Sequence, residues 1–479
     1  MDFQFNLGAS PRPGRGSKDE PSGVLILADF SGRKNRGVCE PLARRRVAKV
    51  DADNLDEVFA SWGAALTLPT EGLPGGSLKV AIASLQAFHP DHLLQHLPPL
   101  SDLFAARSLL QVPGTAEQGA RELERLLGVG GRLQTPNSPP AGSMESTDET
   151  LARLLGSAPQ APTAARPGKP ASGFDLQALI KGIVGTANAT PAAPPGAPGL
   201  VAAAELELAT RLRTILRQPD FQALEVAWRG MDFLIRRLPD EDRMQVYLAD
   251  VTREEMAADL AGAQRLLGRQ PWSLILGHDT FGETPADLAV LAAIARLCAA
   301  RNAVFLATAH PRLVGCDSFG VHPDPDDWSC PAPTEVREAW QAFRSTSEAA
   351  YVGLALPRFL LRQPYGKGSD SIDSFPFEEV PNPAAHKTFL WGSPAFLCAL
   401  AMLDPSAAGG DIGELPVFRF TEDGESMMKP CAEAWLTDRA AQAILDAGLI
   451  PVLSIKDSDA VRVVGLQSCR HPATRLEGK

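Results

Sequence analysis

The chain has 479 residues, 44% of them hydrophobic and 22% charged, and a formal net charge of -11. That apolar fraction sustains a core and excludes global disorder, and the length fits two or three domains. The acidic balance, with a pI near 5.3, excludes general binding to nucleic acid or anionic membrane. The first fifty residues run the other way, with 10 Lys/Arg against 5 Asp/Glu; such a run reads as a basic surface, solvated or facing a subunit.

The seven cysteines are scattered and no pair has Cys-x-x-Cys spacing, which suits a reducing compartment and argues against a disulfide frame or zinc knuckle. The N-terminus lacks the basic-then-apolar order of a signal peptide. The longest apolar stretch, 288–300, is interrupted by Arg296 and is too short to span a bilayer. The expected location is the cytoplasm, without membrane insertion.

Residues 1–130 read as a small α/β unit. GVLILAD (23–29) is a continuous apolar run ending in Asp-Phe-Ser-Gly, the pattern of a buried strand and a turn. Strands follow at 46–50 and 78–84. A helix is expected over 54–62, with Leu55, Val58, Phe59 and Trp62 on one face, and further helices over 100–110 and 116–127.

Residues 131–200 hold 11 of the 41 prolines and are rich in Ala and Gly. Such a segment buries too little apolar area to offset its ordering entropy and reads as a linker. Two apolar islands interrupt it. One is 150–156, and the other is 174–184, where Leu176, Leu179, Ile180, Ile183 and Val184 share a helical face. Each is either a docking helix or a return to the parent domain.

In the third segment, 201–479, the stretch 216–238 is an amphipathic helix with Phe221, Leu224, Trp228 and Met231 on its apolar face and Asp220 as the expected N-cap. A strand at 244–251 leads into a capping box of Thr252 and Glu255. Apolar strands at 272–277 and 303–307 flank an Ala-rich helix over 286–300. This is a βαβ pattern, and it argues for a parallel core.

Motifs that suggest chemistry are weak. His92 and His96 lie four apart, on one face of a helix, with His89 nearby, but no Glu completes a His-Glu-x-x-His pattern. His278 and Asp279 follow a buried strand, where α/β enzymes place catalytic groups, and Cys316, Asp317 and Ser318 are further nucleophile candidates. No Gly-x-Ser-x-Gly elbow accompanies them. PYGKGS (364–369) lacks the early Gly and the Ser/Thr after Lys of a phosphate loop. Glu378 and Glu379 are expected on an acidic surface. No catalytic residue, cofactor or metal is expected.

The wording of three blocks is more specific. LILADFSGR (25–33), RRRVAKVDADNLDEVFAS (44–61) and AFHPDHLLQHLPPLSDLFAARSLL (87–110) resemble the small sheath subunit, TssB, of bacterial type VI secretion systems, with Ala28 where that family's turn often has Gly. The stretch LALPRFLLRQPYGKGSDSIDSFPFEEVPNPAAHKTFLW (354–391), continuing GSPAF, resembles the large sheath subunit, TssC. So do 216–238 and 431–468. The expectation is an α/β protein with two sheath-type domains, 1–130 and 201–479, tethered by the 131–200 linker so that their pairing is intramolecular.

The resemblance implies a structural subunit rather than an enzyme. It would assemble in the cytoplasm with other sheath subunits around an inner tube protein whose ejection is driven by contraction, with baseplate components and a ClpV-type AAA+ ATPase as further partners. Helical assembly requires non-closing contacts, and contraction requires two packings of similar energy. The residues expected to act structurally or at interfaces are Phe221, Trp228, Pro357, Arg358, Phe359, Arg362, Tyr365, Trp391 and Gly392, with the two arginines paired to carboxylates. By position, Phe174, Leu176, Leu179, Ile180 and Ile183 match the ATPase-docking helix. The large-subunit family continues beyond the Gln467-Ser468 pair into terminal strands that neighbours exchange, a form of strand addition. This chain reaches only Lys479, so the alternative expectation is a non-polymerising adaptor or cap of the same apparatus.

Overall fold

The computed structural model describes residues 22–69, 76–127, 197–238, 244–268, 270–404 and 411–476. The 174–184 island and all but the end of the linker lie outside them. The chain divides into two compact units, one from residues up to Ser101 together with Glu207 onward, the other from Asp102 to Leu206.

The first unit is built on a nine-stranded sheet. Its strands are β1 (Ser22–Ala28), β2 (Val47–Val50), β5 (Met244–Asp250), β6 (Trp272–Phe281), β7 (Val304–Ala309), β8 (Val352–Leu356), β11 (Asp411–Ile412), β14 (Ile450–Ser454) and β15 (Val461–Val463). The order is β11-β15-β14-β8-β7-β6-β1-β5-β2. From β14 to β5 all neighbours are parallel, while β2, β15 and β11 join antiparallel. Two-stranded sheets formed by β3 (Ala65–Pro69) with β4 (Ser77–Ala81), β9 (Phe359–Leu360) with β10 (Trp391–Gly392), and β12 (Arg419–Glu422) with β13 (Glu425–Met428) complete the strands. This mixture of helices and parallel strands is the α/β fold that the patterning predicts.

Strand β1 lies inside the sheet, between β5 and β6 and parallel to both, with Val24 opposite Val246 on one side and Leu274 on the other. Sequence neighbours do not flank it; segments more than two hundred residues away do. Its sequence explains the position: a strand covered on both faces must be apolar at every position, and Val24, Leu25, Ile26 and Leu27 are all buried. Burying each such side chain stabilises the fold by roughly 1.5–3 kcal/mol. One continuous core joins Leu25, Leu27 and Leu42 to Trp272, Ile275, Phe305, Leu354 and Ile444.

The βαβ pattern is present as β6, the helix Pro285–Ala299 and β7, with Thr284 and Asp287 forming a capping box at the helix start. The helix Pro219–Ile235 begins two residues earlier than Asp220 as N-cap requires. Gln218 is the cap and Pro219 takes the first helical position, where its missing N–H costs nothing.

The second unit is helical in its described residues, with Leu100–Gln111 contributing most of its length, Ala116–Leu127 entire, and the start of Ala197–Leu216. A Cβ on Gly119 would stand 2.9 Å from the Ala106 carbonyl oxygen, so a glycine permits the close approach of the first two helices. Arg107 pairs with Glu205 at 2.6 Å.

Candidate functional site: the seam between two segments and its charge clusters

The turn after β1 fixes the seam. Gly32 has φ +73°, and a Cβ there would lie 2.4 Å from the Ala65 carbonyl oxygen, so the Asp-Phe-Ser-Gly-Arg run needs glycine on two counts. The Asp29 carboxylate accepts from the backbone N–H groups of Arg33 and Lys34, holding the short helix that follows. Ser31 donates through its N–H and hydroxyl to Asp250, at 3.2 and 2.7 Å.

Beyond the turn, aromatic rings from both segments interlock. Trp228 stacks on Phe59 at 3.7 Å and meets Phe30 edge-on at 5.0 Å, while Phe88 meets Phe221 edge-on at 5.4 Å. The Trp228 indole N–H donates to the Phe30 carbonyl at 2.8 Å. Nearby, Arg45 donates to Glu255 at 2.5 Å and to the Asp250 carbonyl, and Arg33 stands 3.5 Å from Asp250. Thus part of the basic N-terminal run faces carboxylates of the same chain. Burial raises the Asp250 carboxyl above its ordinary range despite the Ser31 donors. At the rim, Asn35 donates to Asp220 at 2.7 Å, and Asp91 accepts from Ser374 and from the Asp373 N–H.

A second cluster lies under the seam. Arg362 is buried and makes bonds of 2.7 Å to Glu225, and 2.7 and 3.0 Å to Glu379. Arg229 donates to Glu225 at 2.7 Å and to the Tyr365 hydroxyl at 3.2 Å. The Arg362 guanidinium sits 4.3 Å above the Tyr365 ring. Burial opposes ionisation of Glu225, but Arg362 and Arg229 outweigh it and hold the carboxyl below its ordinary value. Burial likewise works against the charged Arg362, and the two glutamates reverse that. Burial pushes Tyr365 up to about 12. Glu379 is therefore inside, contrary to the acidic surface expected for it, because its neighbour Arg362 reaches it within one chain. Glu378 accepts from the Lys367 N–H at 3.0 Å.

The third cluster joins Arg358 and His386 to Glu433, at 2.5 and 3.1 Å. Burial opposes the charged carboxylate, but Arg358 and the His386 hydrogen bond bring Glu433 down to about 2. Of the nine residues singled out from the sequence, only Arg358 is exposed; the rest are packed inside this chain. Phe359 meets Phe233 at 5.1 Å, Trp391 stacks on His386 at 4.8 Å, and a Cβ on Gly392 would touch Phe359 and Leu361.

The chemical candidates separate. His89 caps the helix Pro90–His96 by accepting from the Asp91 N–H, and its ring meets Tyr365 at 5.0 Å. His92 and His96 stack at 4.1 Å, and burial together with His96 and His89 lowers the His92 pKa. Among the described residues, no group of three or more His, Cys, Asp or Glu is arranged to hold a metal.

His278 and Asp279 lie at the end of β6, which runs four residues past the expected boundary. Burial pushes His278 down to about 4 and Asp279 up to about 6. His278 is shared by two cavities of about 440 and 240 Å³; Asp279 lines the smaller. Cys316 lines neither, and burial pushes its thiol up to about 12, away from the thiolate a nucleophile needs. No helix among the described residues is long and apolar enough to cross a membrane.

Comparison with known proteins accounts for both sides of the seam. The family model VipB, described as EvpB/VC_A0108, tail sheath N-terminal domain, matches residues 199–470. The model T6SS_VipA, described as type VI secretion system, VipA, VC_A0107 or Hcp2, matches residues 14–128. The type VI secretion system sheath protein TssC1 of Pseudomonas aeruginosa is 26% identical over 305 residues, covering 57% of this chain and 61% of its own length. The chain thus spans about three fifths of the curated relative it matches.

Proposed function

Because the chain belongs to the VipB tail-sheath family, we propose that it is a structural subunit of the contractile sheath of a type VI secretion system, with the small and large sheath subunits in one polypeptide. The observation that carries this reading is the insertion of β1, from the VipA-like segment, between β5 and β6 of the VipB-like segment. A strand buried on both faces and hydrogen-bonded on both edges is part of the fold rather than a reversible docking element, so the tether joins two halves of one protomer. Their one-to-one stoichiometry is then fixed by covalent connection.

In this reading the chain works in the cytoplasm, without enzymatic activity. Its partners are further sheath subunits, an inner tube protein and baseplate components. The clusters around Arg362 and Glu433 brace the protomer as load passes between neighbours. A ClpV-type AAA+ ATPase grips residues 174–184 of the tether. Expressing this chain in a secretion-competent bacterium that lacks its own small and large sheath subunits tests the assignment. Restored release of the tube protein into the medium supports it; cells that make the chain and release none contradict it. Deleting 174–184 is expected to abolish ATPase binding in a pull-down, and unchanged binding would remove that site from the account.

A further inference from the structure

The larger cavity has a composition that the sheath reading does not use. Its volume, about 440 Å³, lies within the range of small-molecule sites. It opens beyond the carboxyl ends of β6 and β7, where parallel sheets receive ligands. The wall includes His278, Thr280, Thr308, Arg358, Lys387 and Ser393, and among the described residues no Asp or Glu lines it.

Two cations and no carboxylate in one concavity run against a chain of net charge -11. Arg358 is partly balanced by Glu433, whereas Lys387 is exposed and forms no ion pair among the described residues. The start of the helix Pro219–Ile235 adds Pro219, Gln222 and Ala223 to the wall, and the N-cap residue Gln218 makes no side-chain capping bond. The free N–H groups of that helix start bring partial positive charge. The second, independent sign is His278, whose Nδ1 is buried with no hydrogen-bond partner among the described residues. A buried polar atom left unpaired is costly unless something fills the site. The acidic residues nearby, Asp220 and Asp279, line the smaller cavity instead.

We propose that this cavity binds a small molecule through an oxyanion group, a phosphate or a carboxylate, held by Lys387 and Arg358 beside the hydroxyls of Thr280 and Thr308. The proposal goes beyond the sheath assignment and does not depend on assembly, since every wall residue belongs to one chain.

Isothermal titration of the full chain with inorganic phosphate, and separately with citrate, at fixed ionic strength tests it. Saturable one-to-one binding of at least one anion is expected, and whichever binds tighter assigns the group. Two variants bring a carboxylate to the wall: Lys387→Glu, at an exposed position, and Gln222→Glu, near a helix start where an acid is tolerated. Each is expected to weaken binding by at least about tenfold while leaving the thermal midpoint without anion unchanged. Absence of saturable binding by either anion, or equal affinity in the parent and both variants, overturns the proposal.

Discussion

The indole N–H of Trp228 reaches the backbone carbonyl of Phe30 at 2.8 Å, across 198 positions of sequence. It ties the turn after β1 to the helix Pro219–Ile235, and both residues are fully buried. Trp228→Phe keeps a ring but leaves that carbonyl without this donor, at an expected cost of about 1–3 kcal/mol. Trp228→Ala also removes the stack on Phe59 and should cost about 3–5 kcal/mol. Urea denaturation followed by circular dichroism measures both; equal midpoints for the parent and Trp228→Ala would mean the seam contributes nothing to stability.

Arg362 serves two glutamates that are almost wholly buried, Glu225 at 0% and Glu379 at 1% exposure. Arg362→Met strands Glu379 and leaves Glu225 with Arg229 alone, and is expected to destabilise by about 3–5 kcal/mol. Removing all three charges together, as Arg362→Met with Glu225→Gln and Glu379→Gln, should recover a large part of that loss, because the penalty lies in uncompensated charge. A triple variant no more stable than Arg362→Met would contradict this account.

Gly32→Ala tests the turn. A left-handed backbone costs an L-residue about 1–2 kcal/mol, and the added methyl also meets the Ala65 carbonyl. The variant is expected to lower the thermal midpoint, whereas Gly37→Ala, with a similar φ but open space around it, should lower it less. Equal losses would show that the close approach to Ala65 does not matter.

Asp279 sets a pH dependence of definite sign. Burial raises its pKa from 3.8 to about 6, with Arg253, Glu254, Lys34 and Asp29 the charged groups around it. A carboxyl raised in the folded state costs stability once it is ionised. The cost is absent below about 3.8, grows as pH rises and is complete above about 6. Asp279→Asn should therefore be more stable than the parent at neutral pH, with the difference closing as pH falls to about 4. His278 beside it carries the opposite tendency, its cost growing on acidification from 6.5 toward about 4, but both proteins share it. Thermal midpoints across that range measure the gap; a gap that widens toward acid would refute the assignment.

Local patterns were legible in the sequence. The apolar run 23–29 became β1, the spacing of Leu55 and Phe59 became the helix Leu55–Trp62, and the Thr252–Glu255 capping box formed with both reciprocal bonds. Each signal is carried by residues within a turn or a strand of one another. What stayed hidden was non-local. Nothing in the N-terminal segment says that β1 enters a sheet between strands that begin at Met244 and Trp272, because an apolar strand fits any buried slot of suitable register. Strand β3 was missed, and the Arg362 cluster was seen only as an arginine awaiting carboxylates. Glu225 lies on an amphipathic helix where a charged residue reads as solvent-facing, and only the fold brings Arg362 to it. The two cavities draw on segments distant in sequence, which periodicity cannot join.

The most direct test of the sheath assignment is negative-stain electron microscopy of the purified chain, alone and with an ordinary large sheath subunit. The account predicts long hollow tubes from the chain alone, or its incorporation into the partner's tubes. A folded chain that stays monomeric and neither enters nor decorates those tubes would contradict it.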